Sequence, residues 1–149
     1  MSKEGDVWRS MSEEDLSLAK EIFETKVASN RFVCYHSGQA VEKFMKGRLA
    51  DYGEVIPETH NLKVLLNLLH YDDISSDMRH CINTISGYDI CSRYPINGNV
   101  QTFSDEEAES VLEAAYRFIS LFNAQKGKQN QDTKPKRQGL LSKMSKGRR

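Results

Sequence analysis

The most constraining feature of this chain is the spacing of apolar residues between positions 31 and 52. Apolar and small side chains recur there at steps of three and four residues, namely Val33, Ser37, Ala40, Val41, Phe44, Met45 and Leu49. That spacing places them on one face of an α-helix, whereas a half-buried strand would alternate at every second residue. The segment therefore predicts a long amphipathic helix with one buried face, and Gly53 is a typical residue to end it.

Other segments show the same helical period. Ser12 followed by three acids is a typical helix start, and Ser104 with Glu107 has the spacing of a capping box. In residues 88–103 the period is lost and Pro95 precedes an Asn97-Gly98 turn signal, so we expect an extended loop. The predicted fold class is all-α, a five-helix, mostly antiparallel up-and-down bundle with helices over residues 12–29, 31–52, 62–69, 77–87 and 104–125.

The charge of the chain is divided unevenly along its length. The formal net charge is zero, but residues 126–149 hold nine Lys or Arg and one Asp, so a tail of about +8 follows a body of about −8. Few apolar residues occur in this tail, and we expect it to be disordered in isolation. The predicted organisation is an N-terminal extension (1–11), a helical domain (12–125) and a basic tail (126–149). We expect the tail either to contact nucleic acid or an acidic protein surface or to be a solubilising extension.

The sequence offers no signal for export, membrane insertion or a bound metal. It has neither a signal-peptide apolar region nor a run of about 18 apolar residues, so we expect a cytoplasmic protein without a membrane contact. Cys34, Cys81 and Cys91 form no C-x-x-C pair and are predicted to be reduced thiols. His70 and His80 lack partners at metal-ligand spacing and form no metal site with His60, and no metal or other cofactor is predicted.

Three motifs resemble, in order and spacing, those of HEPN domain proteins. Residues 36–46, which include Gln-Ala-Val-Glu-Lys-Phe-Met-Lys, are similar to the family's central Gln-Ala-x-Glu-Lys-x-x-Lys motif. Residues 57–62 resemble its Pro-x-Thr-His-Asp-Leu stretch, and residues 92–95 resemble its Arg-Tyr-Pro element. The resemblance implies a helical domain that commonly forms homodimers, is often encoded beside a minimal nucleotidyltransferase, and in some branches is a metal-independent ribonuclease.

Polar residues of the central motif share one side of the predicted helix, because they occur at steps of three and four residues. We expect this side to face the Arg-Tyr-Pro loop and to bind nucleotide or RNA, with positive charge for phosphate, a tyrosine for stacking and an amide for a base or ribose. The alternative is an internal salt-bridge network. The predicted binding residues are Gln39, Glu42, Lys43, Lys46, His60, Arg93 and Tyr94.

Arg31 and His36 are the candidate catalytic residues. Ribonuclease members of the family carry an arginine and a histidine a few residues apart, where the arginine holds phosphate and the histidine moves a proton. The pair has that spacing, although Phe32 replaces the usual polar residue after the arginine and the pair lies early in the domain. The alternative is a structural role for His36, hydrogen-bonded within the bundle.

Three functions remain open from the sequence. The preferred one is a protein that binds nucleotide or RNA and acts with a partner, such as a minimal nucleotidyltransferase, in a toxin–antitoxin or defence module. The second is a metal-independent ribonuclease toxin that uses Arg31 and His36 across a dimer interface. The third is a module that only binds other proteins. Whether the chain is an enzyme is left undecided by these residues.

Overall fold

The computed structural model describes residues 1–69 and 74–132, with side chains described as far as residue 124. This part of the chain contains helices and no strand, which confirms the all-α prediction; Ile96 and Asn99 form an isolated antiparallel bridge around the predicted turn. The helices are α1 (Lys3–Thr25), α2 (Asn30–Asp51), α3 (Leu62–Leu68), α4 (Ser76–Ser86), α5 (Asp89–Arg93) and α6 (Asp105–Asp132).

Helix α2 lies at the centre of the bundle and contacts every other helix. Its predicted apolar face is buried throughout, and Phe44 packs edge-to-face on Phe118 and Phe122 of α6, with ring centroids 6.2 and 5.4 Å apart. Helices α1 and α6 pack on α2 and run in opposite directions, because Lys26 just after α1 pairs with Asp105 at the start of α6 at 2.8 Å. The bundle therefore holds the central motif of α2 between α1 on one side and the 88–103 segment on another.

The capping box that begins α6 is confirmed by reciprocal hydrogen bonds. The backbone N–H of Ser104 donates to Glu107 Oε1 at 2.9 Å, and the backbone N–H of Glu107 donates to Ser104 Oγ at 3.1 Å. These bonds satisfy donors that the first turn of a helix leaves free. They also contribute to holding the pKa of the Glu107 carboxyl below its ordinary value.

The prediction that the first helix begins at Ser12 is wrong, because α1 begins at Lys3. Ser2 is its N-cap, and Ser2 Oγ accepts a hydrogen bond from the Gly5 N–H at 2.9 Å. Ser12 is 3% exposed and donates its hydroxyl to the Ala40 carbonyl oxygen of α2 at 2.6 Å. Ser12, which the sequence predicts as a helix cap, therefore lies in the middle of a longer helix and makes an interhelical hydrogen bond.

Asp51 fixes this N-terminal part of α1 to the end of α2. Its carboxylate accepts hydrogen bonds from the Ser2 N–H at 2.9 Å and from Arg9 Nη1 at 2.6 Å, and Arg48 Nη1 lies 3.4 Å away. Burial alone would raise the Asp51 pKa, but the bonds from Arg9 and Ser2 and the charges of Arg9 and Arg48 outweigh it and lower the pKa. Residues 1–11 thus begin the bundle.

Two further boundaries differ from the sequence predictions. The short helix α5 occupies residues 89–93 of the predicted loop, and α6 continues to Asp132 beyond the expected end near Gln125. Residues 133–149, which form most of the predicted disordered tail, lie outside the described residues. Among the helices that the structure describes, none has the length and apolar character that crossing a membrane requires.

Candidate functional site

Glu42 is the buried centre of a polar cluster that joins three segments of the chain. Its side chain is 5% exposed, and its carboxylate accepts a hydrogen bond from Lys46 Nζ one helical turn later at 2.9 Å. His60 Nδ1, just before α3, lies 3.0 Å from the same carboxylate, and Arg93 Nη2 at the end of α5 lies 3.8 Å from it. The central motif therefore connects α2 to the 57–62 and 92–95 motifs.

Residues of this Glu42 cluster differ in how far they reach solvent. The Lys46 side chain is 8% exposed, and its ammonium lies over the Trp8 ring at 5.7 Å as well as against Glu42. The His60 side chain is 63% exposed. The Lys46 ammonium is thus occupied by contacts inside the protein, whereas the His60 side chain is the part of the cluster that is exposed to solvent.

Asp15 on α1 is the centre of a second polar cluster. Its carboxylate lies 2.9 Å from His36 Nδ1 and also accepts a hydrogen bond from Lys43 Nζ. His36 and Lys43 are two turns apart on α2, and both side chains are 20% exposed. Because Asp15 lies on a different helix from both residues, its role could be recognised only once α1 was packed against α2.

A cleft of about 300 Å³ lies between the start of α2 and the end of α5, and Arg31 and Arg93 both line it. Arg31 Nη1 donates to the Ser92 carbonyl oxygen at 3.1 Å, and its guanidinium stacks on the Phe32 ring at 4.3 Å. The cleft is lined by Arg31, Phe32, Tyr35, Ser92, Arg93 and Tyr94.

The two arginines of this cleft have different neighbours. Arg93 Nε donates to Asp89 Oδ1 at 3.2 Å, its Nη2 approaches Glu42, and its guanidinium lies 5.2 Å from the centre of the Tyr35 ring. Arg31 has no carboxylate within ion-pair distance among the described residues. Opposite charges near Arg93 therefore offset its positive charge, whereas the charge of Arg31 is not offset in this way.

The structure distributes the predicted site residues over three places. Arg93 joins Glu42, Lys46 and His60 in the Glu42 cluster, and it also lines the cleft with Tyr94 and Arg31. Lys43 and His36 instead turn towards Asp15. Gln39 is half-buried on α2, and its side chain makes no hydrogen bond to another residue that the structure describes.

Arg31 and His36 are not brought together within one copy of the chain, because they point to different helices. Arg31 contacts Ser92 of α5, while His36 contacts Asp15 of α1. Five residues on an α-helix correspond to about 140° of rotation, so the two side chains leave α2 on different sides. Sequence reasoning missed Phe32 and Tyr35 as cleft residues, since neither belongs to a recognised motif.

The cysteines contribute no reactive group to either cluster. Burial raises the pKa of the Cys34 thiol to about 12, and it also raises the pKa of Cys81. In the described part of the chain, no set of three or more His, Cys, Asp or Glu side chains is arranged to hold a metal ion.

A family model described as the HEPN domain matches residues 6–125 of the chain. The crystal structure of TT1696 from Thermus thermophilus is similar with a TM-score of 0.69 and 20% identity, covering 80% of this chain and 95% of that one. That of ST0689, an archaeal HEPN homologue, is similar with a TM-score of 0.64 and 19% identity, covering 83% and 98%. At these identities the two structures establish a shared fold. No curated protein matches the chain.

Proposed function

Because the chain belongs to the HEPN domain family, we propose that it binds a nucleotide or RNA in the cleft between α2 and α5. The observation that carries this proposal is the position of Arg31, whose guanidinium lines the cleft without an acidic partner among the described residues. An arginine can hold a phosphate through two parallel hydrogen bonds, and a ligand phosphate would supply the missing negative charge.

Aromatic rings beside Arg31 supply the second half of the proposed site. Tyr94 is 62% exposed at the mouth of the cleft, and Phe32 and Tyr35 line it. Bases stack on such rings with about 1–3 kcal/mol per base. A cleft of about 300 Å³ is at the small end of ligand pockets, so it fits one nucleotide unit at a time.

In this proposal the Glu42 cluster has a positioning role. Glu42 holds Arg93 near the cleft, and Lys46 and His60 complete the surroundings of the carboxylate. Gln39 and Lys43 lie on the same helix but outside the cleft lining, and we assign them no direct phosphate contact. In this proposal the internal salt-bridge network holds Arg93 at the binding site, so the network and the binding site do not exclude each other.

Membership of the family supports the remaining part of the proposal. We propose that the protein forms a homodimer and acts with a protein partner, such as a minimal nucleotidyltransferase, in a toxin–antitoxin or defence module. The basic residues beyond position 132 supply a second contact to nucleic acid or to that partner.

Binding of a labelled nucleotide and of a short labelled RNA, followed by fluorescence anisotropy, tests the cleft. We expect Arg31→Ala to weaken binding roughly tenfold or more, since a hydrogen bond to a charged group contributes about 1.5–3 kcal/mol. Arg79→Ala is the matched control, because Arg79 is exposed on α4 and does not line the cleft, and its replacement removes the same charge.

The two variants distinguish specific binding from general attraction. Equal weakening by Arg31→Ala and Arg79→Ala would show that the ligand follows net charge and would contradict the proposed site. Tyr94→Ala provides a second measure, because it should weaken binding without a change in charge. Circular dichroism of each variant checks that the helices are retained.

A further inference from the structure

A groove of about 680 Å³ between α1 and α6 has no role in the proposed function. Its apolar part consists of Phe23 from α1 and of Leu112 and Tyr116 from α6. Tyr116 is 41% exposed, whereas Leu112 is 7% exposed and lies at the base. An open groove with an apolar base suits a segment that brings a few apolar side chains.

Acidic residues predominate among the charged residues that line this α1/α6 groove. Glu24, Glu109 and Glu113 are carboxylates, while Lys20 and Arg117 are the cations. Arg117 is already paired outside the lining, with Asp77 Oδ2 at 3.2 Å. The groove therefore favours a segment that is basic as well as partly apolar.

The C-terminal residues of this chain have that composition. Residues 133–149 contain Leu140, Leu141 and Met144 among seven Lys or Arg and no acid. Leu140 and Met144 are four residues apart, a spacing that places both on one side if the segment forms a helical turn. Apolar side chains for the base and cations for the rim are thus present in one short segment.

The chain that connects the α1/α6 groove to residues 133–149 is long enough for this segment to reach the groove. From Tyr116 and Leu112 of the apolar part, α6 continues for 16 and 20 residues to Asp132, which corresponds to about 24 and 30 Å of helix. When extended, the eight residues from Asp132 to Leu140 span up to roughly 26 Å, and the twelve to Met144 span up to roughly 40 Å. The segment can therefore return to the groove of its own chain, where tethering gives it an effective concentration on the order of millimolar.

We propose that residues 133–149 bind in the α1/α6 groove of their own chain, with the leucines and Met144 on the apolar base and the cations beside the acidic rim. Docking in this way covers the basic segment and competes with its binding to nucleic acid. Since the ion pairs are at the surface, salt weakens both interactions.

Amide chemical shifts of the full ¹⁵N-labelled chain test the proposal. The variant Leu140→Ser with Leu141→Ser should release the segment and shift amides of residues 20–24 and 109–120, and Gln138→Ser is the tail control without an apolar change. The shifts should not depend on protein concentration. Unchanged groove amides in the leucine variant would overturn the proposal.

Charge reversal in the groove provides the second test. Glu109→Lys with Glu113→Lys should repel the segment, so that adding the leucine substitutions to this variant causes little further shift in the groove amides. Glu13→Lys with Glu58→Lys is the matched control, because both are exposed acids outside the groove and their replacement changes the net charge by the same amount. Shifts that grow with protein concentration would assign the segment to a neighbouring copy and contradict binding within one chain.

Discussion

Gly5 of α1 and Gly47 of α2 lie so close that a Cβ atom on Gly5 would approach the Gly47 carbonyl oxygen to 2.9 Å. A Cβ on Gly47 would in turn lie 3.1 Å from Trp8 Cβ and 3.2 Å from the Gly5 carbonyl oxygen. The two backbones therefore meet closely, and a Cβ on Gly5 would also clash with the Asp51 carboxylate beside this contact. This contact, with the bonds to Asp51, holds the first turns of α1 on the end of α2.

We expect Gly5→Ala to lower the free energy of unfolding by about 1–3 kcal/mol, because overfilling a packed contact forces the helices apart. Gly38→Ala is the matched control, since its added Cβ would meet Asp89 and Ile85 atoms at ordinary distances of 3.7 and 3.8 Å. Alanine in a helix interior is otherwise favourable relative to glycine. Urea denaturation followed by circular dichroism measures both, and equal stability of the two variants would show that the first turns of α1 are not packed.

The periodic spacing of apolar residues in the sequence predicts α2 but not the first turns of α1. Helix α2 buries a continuous face of apolar and small residues, so its bounds were predicted to within one residue at each end. The first turns of α1 are held by a glycine backbone contact and by Ser2 and Arg9 bonded to Asp51. Such contacts have no apolar period, and each depends on a partner more than 40 residues away.

The stability of the chain should fall in acid partly through Asp51. Its pKa lies below the ordinary value of 3.8 in the folded chain, so its contribution is present above that value and is lost as the pH falls through the lowered pKa. We expect Asp51→Asn to destabilise the fold at pH 7 by about 1–3 kcal/mol, and this difference from the wild type should shrink as the pH falls below 3.8. Urea denaturation at pH 7 and in acid measures it.

Asp6→Asn is the comparison for this experiment. Asp6 is another acidic partner of Arg9, but its side chain is 64% exposed, so its removal should have a much smaller effect at either pH. A constant difference between Asp51→Asn and the wild type across the pH range would contradict the role assigned to the Asp51 carboxylate.

The three cysteines should differ in their reaction with iodoacetamide. Cys34 is buried and its pKa is raised to about 12, and Cys81 is also buried, whereas Cys91 is half-buried on α5. Since the thiolate is the reacting species, we expect Cys91 to be modified first in the folded chain at pH 8. Mass spectrometry of peptides at successive times identifies the order, and all three should react rapidly in urea. Early modification of Cys34 would show that α2 opens at its first turns.

The candidate site was predicted in part because its polar residues repeat with the helical period. Glu42, Lys46, His60 and Arg93 meet as their motifs suggested. Lys43 is about 100° further round α2 and meets Asp15 instead, a contact that required the packing of α1. The cleft depends on α5, which lies in the segment predicted as a loop, and so the contribution of Tyr35 was not foreseen.

Cleavage of labelled RNA in EDTA tests the ribonuclease alternative. Arg31 contacts Ser92 while His36 is held by Asp15, so one copy of the chain does not present them to the same phosphate. Because the proposed function is binding without cleavage, we expect no cleavage that both Arg31→Ala and His36→Ala abolish. Arg79→Ala serves as the control for lost charge, and parallel preparation of the variants controls for contaminating nuclease. Cleavage by the wild type and the control, but by neither site variant, would support a ribonuclease and would require a second copy to bring an arginine of one chain to the histidine of the other.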